Sequence, residues 1–135
     1  MKPRQALAEI KDYLPGKTIP GAIKLASNEN PFGPSPKALK AIAKEAKNLQ
    51  IYPDQRATAL REALAKKLKL APDNFICGNG SDEIMQMLAS VYLNPGDEVL
   101  IAEHAFSVYE LVARLFDAKP RFVPLKNYAL DLGAF

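Results

Sequence analysis

Tryptophan is absent from this chain, and cysteine and histidine occur once each, as Cys77 and His104. A lone cysteine excludes an internal disulfide. A lone histidine without partners at ligand spacing gives no metal centre, and no Ser-His-Asp or Cys-His arrangement is identified. No stretch reaches the ~18 consecutive apolar residues of a membrane span. The start, Met1-Lys2-Pro3-Arg4-Gln5, lacks the apolar core of a signal peptide. Repeats and low-complexity tracts are missing too. Charge of one sign is scarce: the formal net charge is +3, and lysines mix with acids, as at Lys40, Lys44, Glu45 and Lys47. That pattern reads as a solvated helix face rather than a nucleic-acid surface. Taken together, these absences point to a cytoplasmic protein with no membrane and no nucleic-acid partner.

What is present is enough for one ordinary core: 135 residues, 48% of them hydrophobic. Residues 5–13 read as a short helix with Ala6, Leu7 and Ile10 on one side, ended by Pro15-Gly16. Residues 19–36, with Pro20, Pro31, Pro34 and Pro36, read as an extended arm that cannot bury itself. Pro36 opens a helix to about Asn48, with Leu39, Ile42, Ala43 and Ala46 as its apolar stripe. A second helix is predicted from about Ala57 to Leu68, with Leu60, Leu64 and Leu68 spaced by four, and Ala71-Pro72-Asp73 breaks it.

From residue 74 the pattern alternates. Strands are predicted at 75–77, 98–102 and 121–125, and helices at 81–92 and 106–116, with Asn94-Pro95-Gly96 as a turn between them. Alternating strands and helices imply an α/β fold with a mainly parallel sheet. The expected division is an N-terminal helix and arm over 1–36, a helical segment over 37–72, and the α/β part over 73–135.

The segment Cys77-Gly78-Asn79-Gly80-Ser81-Asp82-Glu83 has the order strand, glycine turn, helix start. A helix start offers free backbone N–H groups and the positive end of the macrodipole, which suit a phosphate. Gly78 and Gly80 permit a tight turn and close approach of a ligand. Ser81 suits an N-cap, while Asp82 and Glu83 suit a first turn. An ordinary βα loop with a good cap has the same composition, so the residues leave both readings open. Elsewhere, Cys77 reads as a buried inert thiol. Met85 and Met87 cannot share a helix face, so one of them is expected in the core.

Two further segments accompany the glycine turn. Lys24-Leu25-Ala26-Ser27-Asn28-Glu29-Asn30-Pro31-Phe32-Gly33-Pro34 and Ile51-Tyr52-Pro53-Asp54 precede it; Pro95-Gly96-Asp97-Glu98 and His104-Ala105-Phe106-Ser107-Val108-Tyr109 follow. In this order and spacing the set resembles the fold-type-I aminotransferases that use pyridoxal 5'-phosphate, and within them the histidinol-phosphate branch. The opening Ile10-Lys11-Asp12-Tyr13-Leu14-Pro15-Gly16-Lys17 and the closing Asn127-Tyr128-Ala129-Leu130-Asp131-Leu132 are similar to that branch as well.

The resemblance implies a set of roles. Gly80, Ser81 and Asp82 would form the cofactor's phosphate cup, Asp82 through its amide. Phe106 would stack on the cofactor ring. Tyr52 would reach the cofactor phosphate of a neighbouring subunit in a homodimer. Asn28, Glu29 and Asn30 would belong to the segment that closes over substrate, Asn30 foremost. The substrates implied are histidinol phosphate and glutamate or 2-oxoglutarate. No lysine here has the context of the family's Schiff-base lysine, and Lys119 and Lys126 look solvent-directed. The chain is therefore expected to be the incomplete front part of such an enzyme, inactive alone and poorly stable. By the same resemblance, the strand at 75–77 would stand apart from the other two. A threonine-phosphate decarboxylase-like enzyme, or a non-catalytic remnant binding an anion or a partner, are the alternatives.

Overall fold

The computed structural model describes residues 2, 5–8, 10 and 16–135. The chain divides into two compact units, Met1–Tyr13 with Ile76–Phe135, and Leu14–Phe75.

In the unit Leu14–Phe75, residues 16–35 form no helix or strand, as their prolines dictate. Helix α1 (Pro36–Glu45) starts where Pro36 presets a helical φ, and a 3-10 turn, Ala46–Asn48, tightens its end. Its apolar stripe stays open: Leu39 and Ile42 are both exposed. Helix α2 (Thr58–Leu68) ends at Lys69, whose left-handed φ of 57° turns the chain out. The Leu70 amide donates back to the Ala65 carbonyl at 3.1 Å. A 3-10 turn, Pro72–Asn74, then docks on α2. Arg61 holds it with Nε on the Pro72 carbonyl at 3.1 Å and Nη2 on Asp73 at 2.7 Å. Ala65 is the buried residue of α2.

The other unit holds α3 (Gly80–Tyr92), β1 (Glu98–Ala102), α4 (Val108–Leu115) and β2 (Lys119–Val123). Strands β1 and β2 pair in parallel, Glu98 opposite Lys119 through Ala102 opposite Val123. The ladder is bounded by Lys119 N–H to the Asp97 carbonyl at 2.7 Å and Glu103 N–H to the Val123 carbonyl at 2.9 Å. Lys119, Arg121 and Val123 thus turn their backbone groups toward β1, and Pro120, opposite Val99, faces away. Arg121 Nε donates to Glu98 Oε1 at 2.8 Å across the pair.

Helix α4 packs on both strands and α3 packs on α4. Ala89, Val108 and Val112 form the buried centre, with Met85, Leu93, Leu111 and Phe116 against it. Met85 is therefore the core methionine that the spacing requires. The turn between α3 and β1 is built by Asn94-Pro95-Gly96: Asp97 N–H reaches the Asn94 carbonyl at 3.1 Å, Asp97 Oδ2 accepts from the Asn94 amide at 2.7 Å, and Gly96 takes a φ of 93°. Only glycine takes that φ without strain.

Four expectations change in detail. Residues 75–77 are not a paired strand: Phe75 has extended dihedrals, φ −118° and ψ 134°, but no described segment lies alongside to share a ladder. Cys77 is correspondingly half-buried rather than buried. The last strand runs over Lys119–Val123, not 121–125: Pro120 is tolerated inside it because it stands at an outward position, where no ladder N–H is needed. Of the helix expected over 5–13, the described part is a 3-10 turn, Gln5–Ala8; residues 9 and 11–15 lie outside the described residues.

Candidate functional site

The glycine turn has a defined geometry at the start of α3. Asn79 has φ −77° and ψ 75°, and Gly80 N–H donates to the Gly78 carbonyl at 2.9 Å. These are the marks of an inverse γ-turn. Gly80 follows with a φ of 76°, a left-handed conformation that glycine adopts at little cost. The helix begins at Gly80, so Ser81, expected as the N-cap, lies inside the first turn and Asn79 precedes the helix.

The amides of Ser81 and Asp82 fall before the i→i−4 ladder supplies acceptors, and both residues are exposed. The Gly80 amide is already committed to Gly78, so Gly80 serves the turn by its conformation. Among the described residues nothing lies within 4 Å of where a Gly80 Cβ would stand, which leaves the backbone open on that side. Gly78 is the opposite case. A Cβ there would sit 2.9 Å from Ile84 Cδ1 and 3.1 Å from Glu83 Oε2. Glu83 folds back to accept from the Asn79 backbone amide and from Asn79 Nδ2, the latter at 2.9 Å. The Ser81 hydroxyl lies 3.5 Å from Asp82 Oδ1, too long to hold it firmly. A phosphate dianion would meet two amides without an acceptor and the positive end of the helix dipole here, and the residues fit such a group. Gly78 and Glu83 shape the turn through these contacts; the sequence marks Gly78 as a turn residue and Glu83 as a first-turn acid, but does not display the contact between them.

Phe106 lies in the loop beyond the C-terminal end of β1, the end of a parallel strand where α/β proteins collect ligands. Its ring meets Tyr109 edge-on, with centroids 6.1 Å apart and planes at 86°. At 44% exposure one part of the ring is free to face a ligand. His104 precedes it with a φ of 60°, at the turn closed by Ala105 N–H on the Ala102 carbonyl. A separate cleft of about 400 Å³, lined by Met85, Leu88, Tyr92, Val99, Tyr109 and Val112, is almost wholly apolar and offers an anion nothing.

Within the unit Leu14–Phe75, the arm residues are held locally. Glu29 pairs with Lys24 at 2.6 Å. Asn30 Oδ1 accepts from Phe32 N–H at 3.0 Å, and its Nδ2 faces the Gly33 carbonyl at 3.4 Å. Asn28 is exposed with a left-handed φ of 49°. Tyr52 is 81% exposed, just before Pro53. Asp54 accepts from Arg56 N–H at 3.0 Å and Thr58 N–H at 2.7 Å, and these donors hold its carboxyl below the ordinary carboxylate range, the Thr58 amide most strongly. Gly80, Ser81 and Asp82 fall in one turn, whereas Asn28 ends one turn of the arm and Asn30 opens the next, with Glu29 between them.

The fold and the glycine turn place this chain among known enzymes. The family model for aminotransferases of class I and II matches residues 20–135. The chain belongs to that family. It is 45% identical to the histidinol-phosphate aminotransferase of Moorella thermoacetica, over 98% of this chain and 37% of that protein. The corresponding figures for the same enzyme of Caldicellulosiruptor saccharolyticus are 44%, 98% and 39%. Among solved structures, histidinol-phosphate aminotransferase from Sinorhizobium meliloti in complex with pyridoxal-5'-phosphate matches with a TM-score of 0.77 and 26% identity. That match covers 80% of this chain and 29% of the other. The chain thus spans less than two fifths of the length of these curated relatives.

Proposed function

We propose that this chain supplies the cofactor-phosphate side of a pyridoxal 5'-phosphate-dependent aminotransferase of the histidinol-phosphate branch, a cytoplasmic homodimer. The reaction is reversible transfer of an amino group between glutamate and an imidazole-acetol phosphate, which yields histidinol phosphate and 2-oxoglutarate. The observation that carries this reading is the start of α3, where an open left-handed glycine is followed by two unpaired amides. When bound, the cofactor supplies an electron sink for the amino-acid α-carbon.

The residues divide the work of holding it. Ser81 and Asp82 donate backbone N–H groups to the phosphate, and Gly80 lets the chain approach. The Asp82 carboxylate turns to solvent, since it would repel the phosphate. Phe106 offers a flat apolar wall to the ring. Tyr52 donates its phenol proton to the phosphate of the neighbouring subunit. Asn28, Glu29 and Asn30 close over substrate and exclude water, with Asn30 released from its own loop to reach it. The lysine that anchors the cofactor is assigned to no residue of this chain, and the chain alone is without activity.

Glutamate-dependent amination of imidazole-acetol phosphate by the protein carrying this chain is the test. Turnover supports the reading. Decarboxylation of threonine phosphate without amino transfer would move the protein to the neighbouring branch. Failure of both, with no cofactor retained, would leave a non-catalytic binding protein. A single borohydride-stabilised adduct on one lysine of this chain would contradict the statement that it lacks the anchoring lysine.

A further inference from the structure

Tyr52 stands almost free of side-chain packing, so its place in space is set by its backbone. Two anchors hold that backbone. Upstream, Ile51 N–H donates to the Asn48 carbonyl at 2.9 Å, at the end of the 3-10 turn that follows α1. Downstream, Asp54 makes a compact hub. Its carboxylate accepts from the amides of Arg56 and Thr58, and its carbonyl accepts from Ala57 N–H at 3.1 Å. Ala57 is meanwhile held at φ 47° and ψ 43°, a left-handed conformation that an alanine resists. A strained residue persists only where its surroundings over-determine it, and here the surroundings are the Asp54 bonds.

We propose that Asp54 is the positioning residue of Tyr52: by tying the Tyr52-Pro53 link to the first turn of α2, it fixes the direction in which the phenol is presented to the cofactor phosphate. This rests on the reading that Tyr52 donates to that phosphate. Pro53 makes the coupling stiff, because its ring locks φ and biases Tyr52 to extended backbone. Displacement of the Asp54 hub is therefore transmitted to Tyr52 rather than absorbed between them. An ordinary helix cap would stabilise α2 and leave the phenol's reach unchanged, so the two roles differ in what they do to binding.

The experiment is a double-mutant cycle on the dimeric protein carrying this chain. Affinity is read by titration with pyridoxal 5'-phosphate, and with pyridoxal as the phosphate-free control. Tyr52→Phe removes one hydrogen bond to a charged group and is expected to weaken cofactor binding by roughly tenfold or more. Asp54→Ala is expected to weaken it comparably and to add nothing in the Tyr52→Phe background. Pyridoxal binding should stay within about twofold throughout. Asp54→Asn, which keeps one acceptor for the turn, should recover most of the loss. Should Asp54→Ala fail to fold, the cycle is run with Asp54→Asn, whose smaller loss must likewise vanish without the phenol.

The proposal is overturned if Tyr52→Phe weakens binding while Asp54→Ala does not, or if the two losses simply add. If Tyr52→Phe leaves cofactor affinity unchanged, the reading of Tyr52 itself fails, and the role of Asp54 falls with it.

Discussion

Glu83 folds back along the first turn of α3 and takes hydrogen bonds from both the backbone amide and the side-chain amide of Asn79. Capping rules look three residues past the cap, to Asp82, yet the next residue does the work, because the γ-turn at Asn79 shifts the geometry by one step. Glu83→Ala is expected to lower stability by about 1 kcal/mol, as loss of a helix cap does. Urea unfolding of wild type and variant would measure it. Asp82→Ala, which removes a carboxylate outside this contact, should cost clearly less.

The two glycines of the turn should fail for different reasons. At Gly78 a methyl would press on the far ends of the Ile84 and Glu83 side chains, which must shift, so Gly78→Ala is expected to cost about 1 kcal/mol through overpacking. At Gly80 a methyl meets nothing, and the cost of Gly80→Ala is the left-handed backbone alone, about 1–2 kcal/mol. Trimming Ile84 to Ala should relieve the first variant and leave the second unrelieved. Equal relief of both would show that one mechanism governs the two positions.

Acid should weaken the chain through two carboxylates in particular. Asp54 is held below its usual pKa first by the Thr58 amide, then by the Thr58 hydroxyl and the Arg56 amide. Glu98 is held down by the hydrogen bond from Arg121 and then by that residue's charge. A depressed folded pKa means that the stabilisation is present above the unfolded value of about 4 and is lost as pH falls through the lower, folded one. Denaturation midpoints followed from neutral pH downward should fall in that acid range, and less steeply in Asp54→Asn and in Glu98→Gln. Parallel curves for all three proteins would rule these groups out as the source.

The chain on its own should bind a hydrophobic dye and unfold over a broad temperature range. Among the described residues no large side chain is fully buried, while Ile23, Leu25, Phe32 and Leu49 are each more than four-fifths exposed. Exposed apolar surface of this extent favours association. A sharp, reversible monomer melt with no dye binding would contradict this.

Much of the architecture was legible because its cues are local. Pro36, the leucines of α2, the Pro95-Gly96 turn and the apolar face of α4 each act within a few residues, and the elements they mark lie where the spacing puts them. Residues 75–77 have the composition of a strand, but a strand is completed by a neighbour, and composition carries no record of who that neighbour is. The start of α4 is a smaller case: Phe106 and Ser107 are apolar and polar in a helical rhythm, yet Ser107 takes the N-cap place and the helix begins at Val108. At the start of α3, Gly80-Ser81-Asp82 announces a helix start by residue type. The packing of Ile84 and Glu83 against Gly78 depends on side chains returning across a turn, which residue order does not display. The left-handed backbone of Ala57 was equally hidden, since alanine does not favour that region.

The paired strands end on an asymmetry. With Lys119, Arg121 and Val123 turned toward β1, the outer side of β2 belongs to Pro120 and Phe122. Proline has no N–H, so that side carries a single donor, set among the cationic Lys119 and Arg121. On β1 the outer positions are Glu98, Leu100 and Ala102, and each has its N–H. A third strand approaching this pair meets a regular row of donors on one flank and a gap on the other. The pair therefore offers an incoming strand a full row of donors beside β1 and a broken row beside β2, and one pyrrolidine ring makes the difference.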